Sequence, residues 1–229
     1  MADRSLDGAS IVVAGASGGI GRLVAKQLAE SGARLTLAAR DLGALQSLEL
    51  DATLLSADLR DATAGRAIVD AALAANGRLD GLVNAAGVVA FGALADTDDA
   101  VIEELFLTNV LGPLFLLRRV VPALADRRGF VAQVSAVVAE QPLAGMVAYA
   151  ASKAALTAAD RALTRELRGA GVTVLDARPP HTETGLANRP IAGTAPRLRE
   201  GLQPDAVARR IVAAIRAGER EVPAEAFGA

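Results

Sequence analysis

The stretch Ile11-Val-Val-Ala-Gly-Ala-Ser-Gly-Gly-Ile-Gly21 decides the fold of this chain. The apolar run Ile11–Ala14 leads into a glycine-rich turn, and an amphipathic segment, Gly19–Glu30, follows directly. Glycines let the backbone turn sharply and approach a pyrophosphate, and the free amides of a helix N-terminus then hold the anion. The pattern therefore predicts a strand, a dinucleotide-binding loop and a helix. A tight turn that binds nothing is the alternative.

Outward from this loop, short apolar runs alternate with amphipathic segments, which is typical of βαβ units. We predict one α/β domain over residues 1–229, with a doubly wound parallel (Rossmann-type) sheet and ligands at the carboxyl ends of its strands. A Pro-, Gly- and Thr-rich stretch, Pro179–Gly201, predicts a mobile substrate loop at about 182–201. The predicted strands are Ile11–Ala14, Arg34–Ala39, Thr53–Ser56, Leu82–Asn84, Phe130–Val134, Val172–Asp176 and Glu221–Pro223. The predicted helices are Gly19–Glu30, a short one capped by Asp41, Asp61–Ala75, Asp98–Leu124 with a bend near Gly112-Pro113, Tyr149–Arg168 and Pro204–Ala217.

The composition excludes several kinds of protein. None of the 229 residues is cysteine and one is histidine, which excludes disulfides, thiolate metal sites and two-imidazole sites, so we expect no metal. A net charge of −2 argues against a nucleic-acid surface. The apolar stretches Leu82–Ala95 and Val110–Leu117 are shorter than the ~20 residues of a spanning helix, and no signal-peptide pattern is visible. We therefore expect no membrane or nucleic-acid partner and a cytoplasmic location.

The only tyrosine and one of the two lysines stand four residues apart, in Tyr149-Ala-Ala-Ser-Lys153. Residues i and i+4 share a face of a helix, so the ammonium lies near the phenol. A phenol that works as an acid or base near neutral pH needs its pKa lowered by ~3 units, or about 4 kcal/mol. A desolvated ammonium supplies part of that, and a cationic nicotinamide ring more. The alternative is an ordinary surface pair.

Ser135 ends the predicted strand Phe130–Val134, 14 positions before Tyr149. A hydroxyl at this edge of the sheet is placed to bond a substrate oxygen and orient it toward the phenol. The alternative is a turn or helix cap after the strand. No Gly-x-Ser-x-Gly context surrounds Ser135, so a serine nucleophile is not indicated.

Taken together, these residues resemble the short-chain dehydrogenase/reductase family over about residues 6–222. The resemblance implies a catalytic tetrad of Asn109, Ser135, Tyr149 and Lys153, with Asn109 holding a water in a proton relay behind Lys153. Val83-Asn-Ala-Ala-Gly87 is similar to the family's Asn-Asn-Ala-Gly element, with Ala85 in place of the second asparagine. The cofactor-binding residues that the resemblance implies, together with the loop, are Gly15, Ser17, Gly18, Gly19, Ile20, Gly21, Arg40, Asp58, Leu59, Asn84, Ala85, Ala86, Gly87, Tyr149, Lys153, Pro179, Thr182 and Thr184.

Some of these positions have a structural alternative or depart from the family pattern. Asn84 and Asn109 are also suited to satisfying buried backbone groups, and Asp58 to capping the next helix. Pro180 stands where the family has glycine, in the segment that meets the nicotinamide. His181 is expected to face the substrate or solvent.

The residue that ends the second predicted strand selects the cofactor, because an acidic side chain there binds the ribose hydroxyl and arginine binds a 2′-phosphate. The chain has Ala39 followed by Arg40, which favours NADP(H) over NAD(H). The next residue, Asp41, is acidic and able to swing toward the ribose, so NAD(H) remains the alternative.

The expected function is an oxidoreductase that interconverts a carbonyl and an alcohol of a small-molecule substrate, with Tyr149 as general acid/base. The alternative is a nucleotide-sensing or partner-binding protein that has lost catalysis. We expect a homodimer or homotetramer, formed through the two long helices. The residues expected to line the substrate pocket are Val137, Gln141, Leu143, Met146, His181 and the segment Thr184–Arg199.

Overall fold

A computed structural model describes residues 3–228 and shows a seven-stranded, fully parallel sheet, in which the third strand of the chain lies at one edge and is followed by the second, first, fourth, fifth, sixth and seventh. The predicted α/β fold with a doubly wound parallel sheet is thus confirmed. The strands are β1 Ser10–Ala14, β2 Arg34–Ala39, β3 Ala52–Ser56, β4 Gly81–Asn84, β5 Phe130–Val134, β6 Thr173–Ala177 and β7 Glu221–Val222. The helices are α1 Gly19–Glu30, α2 Leu42–Gln46, α3 Ala64–Asn76, α4 Asp99–Phe106, α5 Gly112–Ala125, α6 Val147–Glu166 and α7 Pro204–Ala217.

Each face of the sheet has its own core, because alternate side chains of a strand point to opposite faces. Ile11 and Val13 of β1 pack with α1 and α7, whereas Val12 and Ala14 pack with α3 and α5. Burial on both faces is what makes β1 a continuous apolar run.

The helix predicted over Asp98–Leu124 is interrupted directly before Gly112-Pro113, near the predicted bend. A π-helical turn, Leu107–Leu111, separates α4 from α5, and Pro113 lies in the turn that follows it. The combined helix Asp99–Ala125 is long and apolar enough to cross a membrane; here it packs against α3 and α6 inside the domain.

The segment predicted as a loop at 182–201 is tied to the rest of the domain by backbone hydrogen bonds. Ile191 donates to the carbonyl of Val89 at 2.8 Å, and Phe91 donates to the carbonyl of Ala192 at 3.0 Å. Leu202 donates to the carbonyl of His181 at 2.9 Å. These contacts hold the segment over the edge where β4, β5 and β6 end.

Candidate functional site

A cleft of about 490 Å³ opens at the carboxyl ends of the central strands. The glycine loop, the β2 end and the β3 end form one half of it, and Tyr149, Lys153 and the segment after β6 form the other. This is where a doubly wound sheet binds ligands, since the strand order reverses between β1 and β4.

The glycine loop folds so tightly that a Cβ at Gly15 or Gly21 would collide with backbone atoms, and one at Gly19 with Thr184. Gly15 has a φ of +74°, and a Cβ there would stand 2.5 Å from the backbone nitrogen of Ala86. A Cβ on Gly21 would collide with the carbonyl oxygen of Gly15. Gly18, the N-cap of α1, provides no side-chain cap, so the first amides of the helix stay open toward the cleft. These amides are suited to a phosphate group.

The side chains around the ends of β2 and β3 are mostly engaged. The Asp41 carboxylate accepts from the Ala44 amide at 3.1 Å and caps α2, as expected. Asp58 lines the cleft and pairs with Arg60 at 2.5 Å, which lowers the pKa of the Asp58 carboxyl. The helix after Asp58, α3, begins at Ala64 rather than Asp61 and has Thr63 as its N-cap residue, so the capping alternative for Asp58 is wrong. Leu59 lines the cleft beside it.

Arg40 follows the last residue of β2, is exposed and lines the cleft. It lies near enough to Asp58 to help lower that carboxyl's pKa. With Asp41 held at its helix cap, Arg40 is the charged side chain of this pair that lines the cleft.

Tyr149 and Lys153 lie on the first turns of α6, with 7% and 4% of their surfaces exposed. The alternative of an ordinary surface pair is therefore wrong. The Lys153 ammonium donates to the carbonyl of Val134, at the end of β5, at 3.2 Å. Burial lowers the pKa of Lys153 to about 8, although Asp176 and Asp160 raise it. Burial raises the pKa of the Tyr149 phenol above its usual value, so the free protein holds it protonated.

Asn109 lies in the π-helical turn, fully buried. Its side chain accepts from the Val88 amide at 2.9 Å and donates to the Val88 carbonyl at 3.0 Å. It also donates to Ser152 Oγ at 3.0 Å. A Cβ on Gly87 would stand 3.2 Å from both Asn109 Oδ1 and Lys153 Nζ, so Gly87 leaves room for these two side chains to approach each other. The Asn109 amide thus satisfies buried backbone groups behind Lys153.

The next motif residue, Asn84, ends β4 and is also buried. Its side-chain oxygen accepts from the Ala86 amide at 3.3 Å. Its Nδ2 has no partner among residues 3–228. Ala85, Ala86 and Gly87 line the cleft.

The Ser135 hydroxyl does not point where the sequence suggested. Its Oγ lies 2.5 Å from Asp176 Oδ1 and 3.2 Å from the Ala177 carbonyl, both on β6, and Ser135 is 4% exposed. A hydroxyl has one proton to donate, and here it is donated in the hydrogen bond to Asp176 Oδ1. The expectation that Ser135 orients a substrate oxygen is therefore corrected: the hydroxyl ties β5 to β6. The next residue in the wall of the cleft, Ala136, has no hydroxyl.

The segment Pro179–Thr184 closes the cleft from above. Thr184 packs on Gly19 at the start of α1, and Thr182 Oγ1 donates to the Pro180 carbonyl at 2.9 Å. Pro180 replaces the usual glycine without strain, because the non-glycine residues with positive φ in the described chain are Glu49 and Arg128. His181 lines the cleft, with Nε2 3.2 Å from Glu183 Oε1.

Sequence reasoning named some pocket residues correctly and missed others. Val137, Leu143, Met146 and His181 line the cleft, whereas Gln141 is exposed outside it. The missed wall residues include Val88, Val89 and Phe91, which lie a few residues after β4. Their signal was present: an apolar run that continues past the end of a predicted strand, toward the edge where ligands bind.

A second missed feature is a buried ionic cluster under the site. Arg178 is 1% exposed, and its guanidinium lies 2.6 Å from Asp176, 2.8 Å from Glu221 and 2.9 Å from Glu140. The signal for it was two charged residues, Asp176 and Arg178, at alternating positions in and just after an otherwise apolar strand.

Comparisons with known proteins agree with this architecture. The family model described as short chain dehydrogenase matches residues 9–192. The chain is 36% identical over 191 residues to Short chain dehydrogenase MYCFIDRAFT_6125 of Pseudocercospora fijiensis, covering 79% of this chain but 62% of that protein, less than two thirds of its length. It is 31% identical over 175 residues to L-xylulose reductase of Caenorhabditis elegans, covering 74% and 70% of the two chains. A crystal structure of a short chain dehydrogenase/reductase from Burkholderia phymatum in complex with NAD superimposes with a TM-score of 0.87 at 26% identity, covering 96% and 90%.

Proposed function

The chain belongs to the short-chain dehydrogenase family of oxidoreductases, and on that premise we propose that it interconverts a carbonyl and an alcohol with NADP(H). A nicotinamide cofactor, when bound, supplies or accepts the hydride. The open amides of α1 and the side-chain-free floor at Gly15 and Gly21 fit the diphosphate of such a cofactor. The residues proposed to hold it are those named from the sequence, except that Asp58 acts together with its partner Arg60.

Tyr149 is proposed as the general acid/base, giving its proton to a carbonyl oxygen or taking one from an alcohol. Lys153 stabilises the phenolate and holds the nicotinamide ribose. Asn109, in the π-helical turn behind Lys153, is proposed to hold the relay water. In this scheme Tyr149 holds the substrate oxygen without help from Ser135, because the Ser135 hydroxyl donates its hydrogen bond to Asp176.

The observation that carries the proposal is the buried Tyr149–Lys153 pair beside the glycine loop in one cleft. Replacing Tyr149 with Phe removes the exchangeable proton and keeps the ring. We expect turnover of carbonyl substrates to fall by at least ~10³-fold, while the cofactor-induced rise in melting temperature stays within about a degree of that of the parent. Retained turnover would refute the role of Tyr149.

The preference for NADP(H) is supported by exposed Arg40 beside the cleft and by the capping role of Asp41. A thermal-shift titration with NADPH and NADH tests it, since a ligand at a hundredfold excess over its Kd stabilises by about 2.7 kcal/mol. We expect NADPH to raise the melting temperature more than NADH does. In Arg40→Ser this difference between the two cofactors should disappear. A shift with NADH alone would reverse the choice.

The alternative function, a nucleotide-sensing or partner-binding protein, is favoured by one observation: the Ser135 hydroxyl is not available to a substrate. A protein of that kind would bind cofactor yet show no turnover in any carbonyl or alcohol screen. We further propose a small-molecule substrate, a cytoplasmic location and a homodimer or homotetramer, for which size-exclusion chromatography with light scattering is the direct check.

A further inference from the structure

A third apolar cluster, separate from the two cores of the sheet, surrounds the Tyr149 phenol. Val89, Phe91, Val138 and Met146 pack together with Tyr149, and each of the five is at least nine-tenths buried. All five also line the cleft, and we call this part of it the apolar pocket. A group bound beside the Tyr149 hydroxyl is therefore surrounded by apolar side chains.

The mouth of the apolar pocket is apolar as well. Leu143, Leu186 and Ile191 line the same cleft with 52%, 36% and 37% of their surfaces exposed. Leu143 precedes α6, whereas the other two lie on the segment after β6, so separate parts of the chain bring them to one cleft. A single exposed leucine needs no explanation, but a set of large apolar side chains along a cleft is typical of a ligand-binding groove.

Three polar side chains near the apolar pocket are already bonded to other parts of the protein. The Ser135 hydroxyl donates to Asp176, and Thr182 Oγ1 donates to the Pro180 carbonyl at 2.9 Å. The Nε2 atom of His181 lies 3.2 Å from the carboxylate two residues further on. A polyhydroxylated substrate needs a partner for each hydroxyl that the walls remove from water, because a buried hydroxyl without one is unfavourable. The arrangement therefore favours a substrate with few polar groups besides the reacting oxygen.

An anionic substrate would need a cation in this part of the cleft, and the lining residue of that kind is Arg189. Arg40 lies at the end of β2, and Lys153 is assigned to the cofactor ribose. Arg189 is exposed, and its Nε donates to the Gly185 carbonyl at 3.2 Å. Ion pairs of exposed arginines contribute little, because water screens them. The charges of the cleft therefore favour an uncharged substrate.

We propose that the substrate is an uncharged ketone, or the matching secondary alcohol, whose body beyond the reacting carbon is apolar. The inference rests on the proposed function, in which the carbonyl accepts a hydride at carbon and the Tyr149 proton at oxygen, leaving the cofactor oxidised. The hydrocarbon body then packs on Val89, Phe91 and Met146, and its far end covers Leu143 at the mouth. Burial of this body removes apolar surface from water on both partners, which supplies the affinity.

Two methyl ketones of equal length, 2-heptanone and 5-oxohexanoate, test this inference, because the second ends in a carboxylate. One buried methylene contributes about fourfold in affinity, so kcat/KM with NADPH should rise at least ~20-fold from 2-butanone to 2-heptanone. For 5-oxohexanoate we expect a value at least ~20-fold below that of 2-heptanone, because its carboxylate must leave water without a buried partner. An equal or higher kcat/KM for 5-oxohexanoate would overturn the proposal, as would a value for dihydroxyacetone above that for 2-butanone.

A pair of exposed leucines provides matched variants. Leu143→Asp places a carboxylate at the mouth and should lower kcat/KM for 2-heptanone by about tenfold, while the NADPH-induced rise in melting temperature stays unchanged. Leu94→Asp is the control, because 51% of the Leu94 surface is exposed, as for Leu143, but Leu94 does not line the cleft. It should leave both quantities unchanged. Equal values of kcat/KM in the two variants would contradict a substrate that covers Leu143.

Binding measurements separate the failure of this inference from the failure of the proposed function. Saturation-transfer NMR detects 2-heptanone and 5-oxohexanoate on protein saturated with NADP⁺, where the ketones cannot be reduced. Selective binding of 2-heptanone without any turnover in NADPH would support the apolar pocket and refute the proposed chemistry. Turnover of 5-oxohexanoate in preference to 2-heptanone would do the reverse. Binding of neither ketone would overturn the inference.

Discussion

The Ser135 residue lies in the wall of the cleft, but its hydroxyl is bonded to Asp176, which pairs with Arg178. We predict that Ser135→Ala keeps kcat/KM within about threefold of the parent, because the substrate oxygen does not depend on this proton. The same change should lower the free energy of unfolding by about 1–3 kcal/mol, since Asp176 loses a buried donor. Steady-state kinetics and urea unfolding measure the two effects. A loss of ~100-fold or more in kcat/KM with unchanged stability would show that Ser135 contacts the substrate.

At the scale of elements, the approach of α1 to the end of β1 depends on the absence of side chains. A Cβ at position 21 would collide with the backbone of Gly15, so Gly21→Ala must push the helix away from the loop. We predict that this variant loses about 1–3 kcal/mol of unfolding free energy. We also predict that NADPH no longer raises its melting temperature. Gly169→Ala is the matched control, because a Cβ there meets nothing within 4 Å. Equal cofactor shifts in the two variants would contradict the proposed diphosphate site.

The element boundaries show which local structures could be predicted from the sequence. Asp41 at its helix cap and the strand Phe130–Val134 were predicted correctly, because a cap and a buried strand are encoded in adjacent residues. The π-helical turn Leu107–Leu111 was not, since its five residues have ordinary helical preferences. Within it, Asn109 bonds Val88 and Ser152, which belong to two other segments. Such turns occur frequently at functional sites.

At the scale of the whole molecule, the sheet, the cleft and the Tyr149–Lys153 pair were predictable because each depends on periodicity or short spacing. The ionic cluster was not, because Arg178 takes its partners from three separate segments of the chain. The direction of the Ser135 hydroxyl was unpredictable for the same reason. Its hydrogen-bond acceptor, Asp176, lies 41 residues away in the sequence.

The most direct test of the proposed chemistry is a spectroscopic titration of Tyr149. The chain has one tyrosine and no tryptophan, so the phenolate absorption band reports this residue alone. Without cofactor we expect a pKa above the usual value of about 10, because burial dominates. With NADP⁺ bound, the cationic ring and Lys153 should lower it by at least about two units, and Lys153→Met should remove part of that fall. A phenol whose titration is the same with and without bound NADP⁺ would contradict its role as the general acid/base.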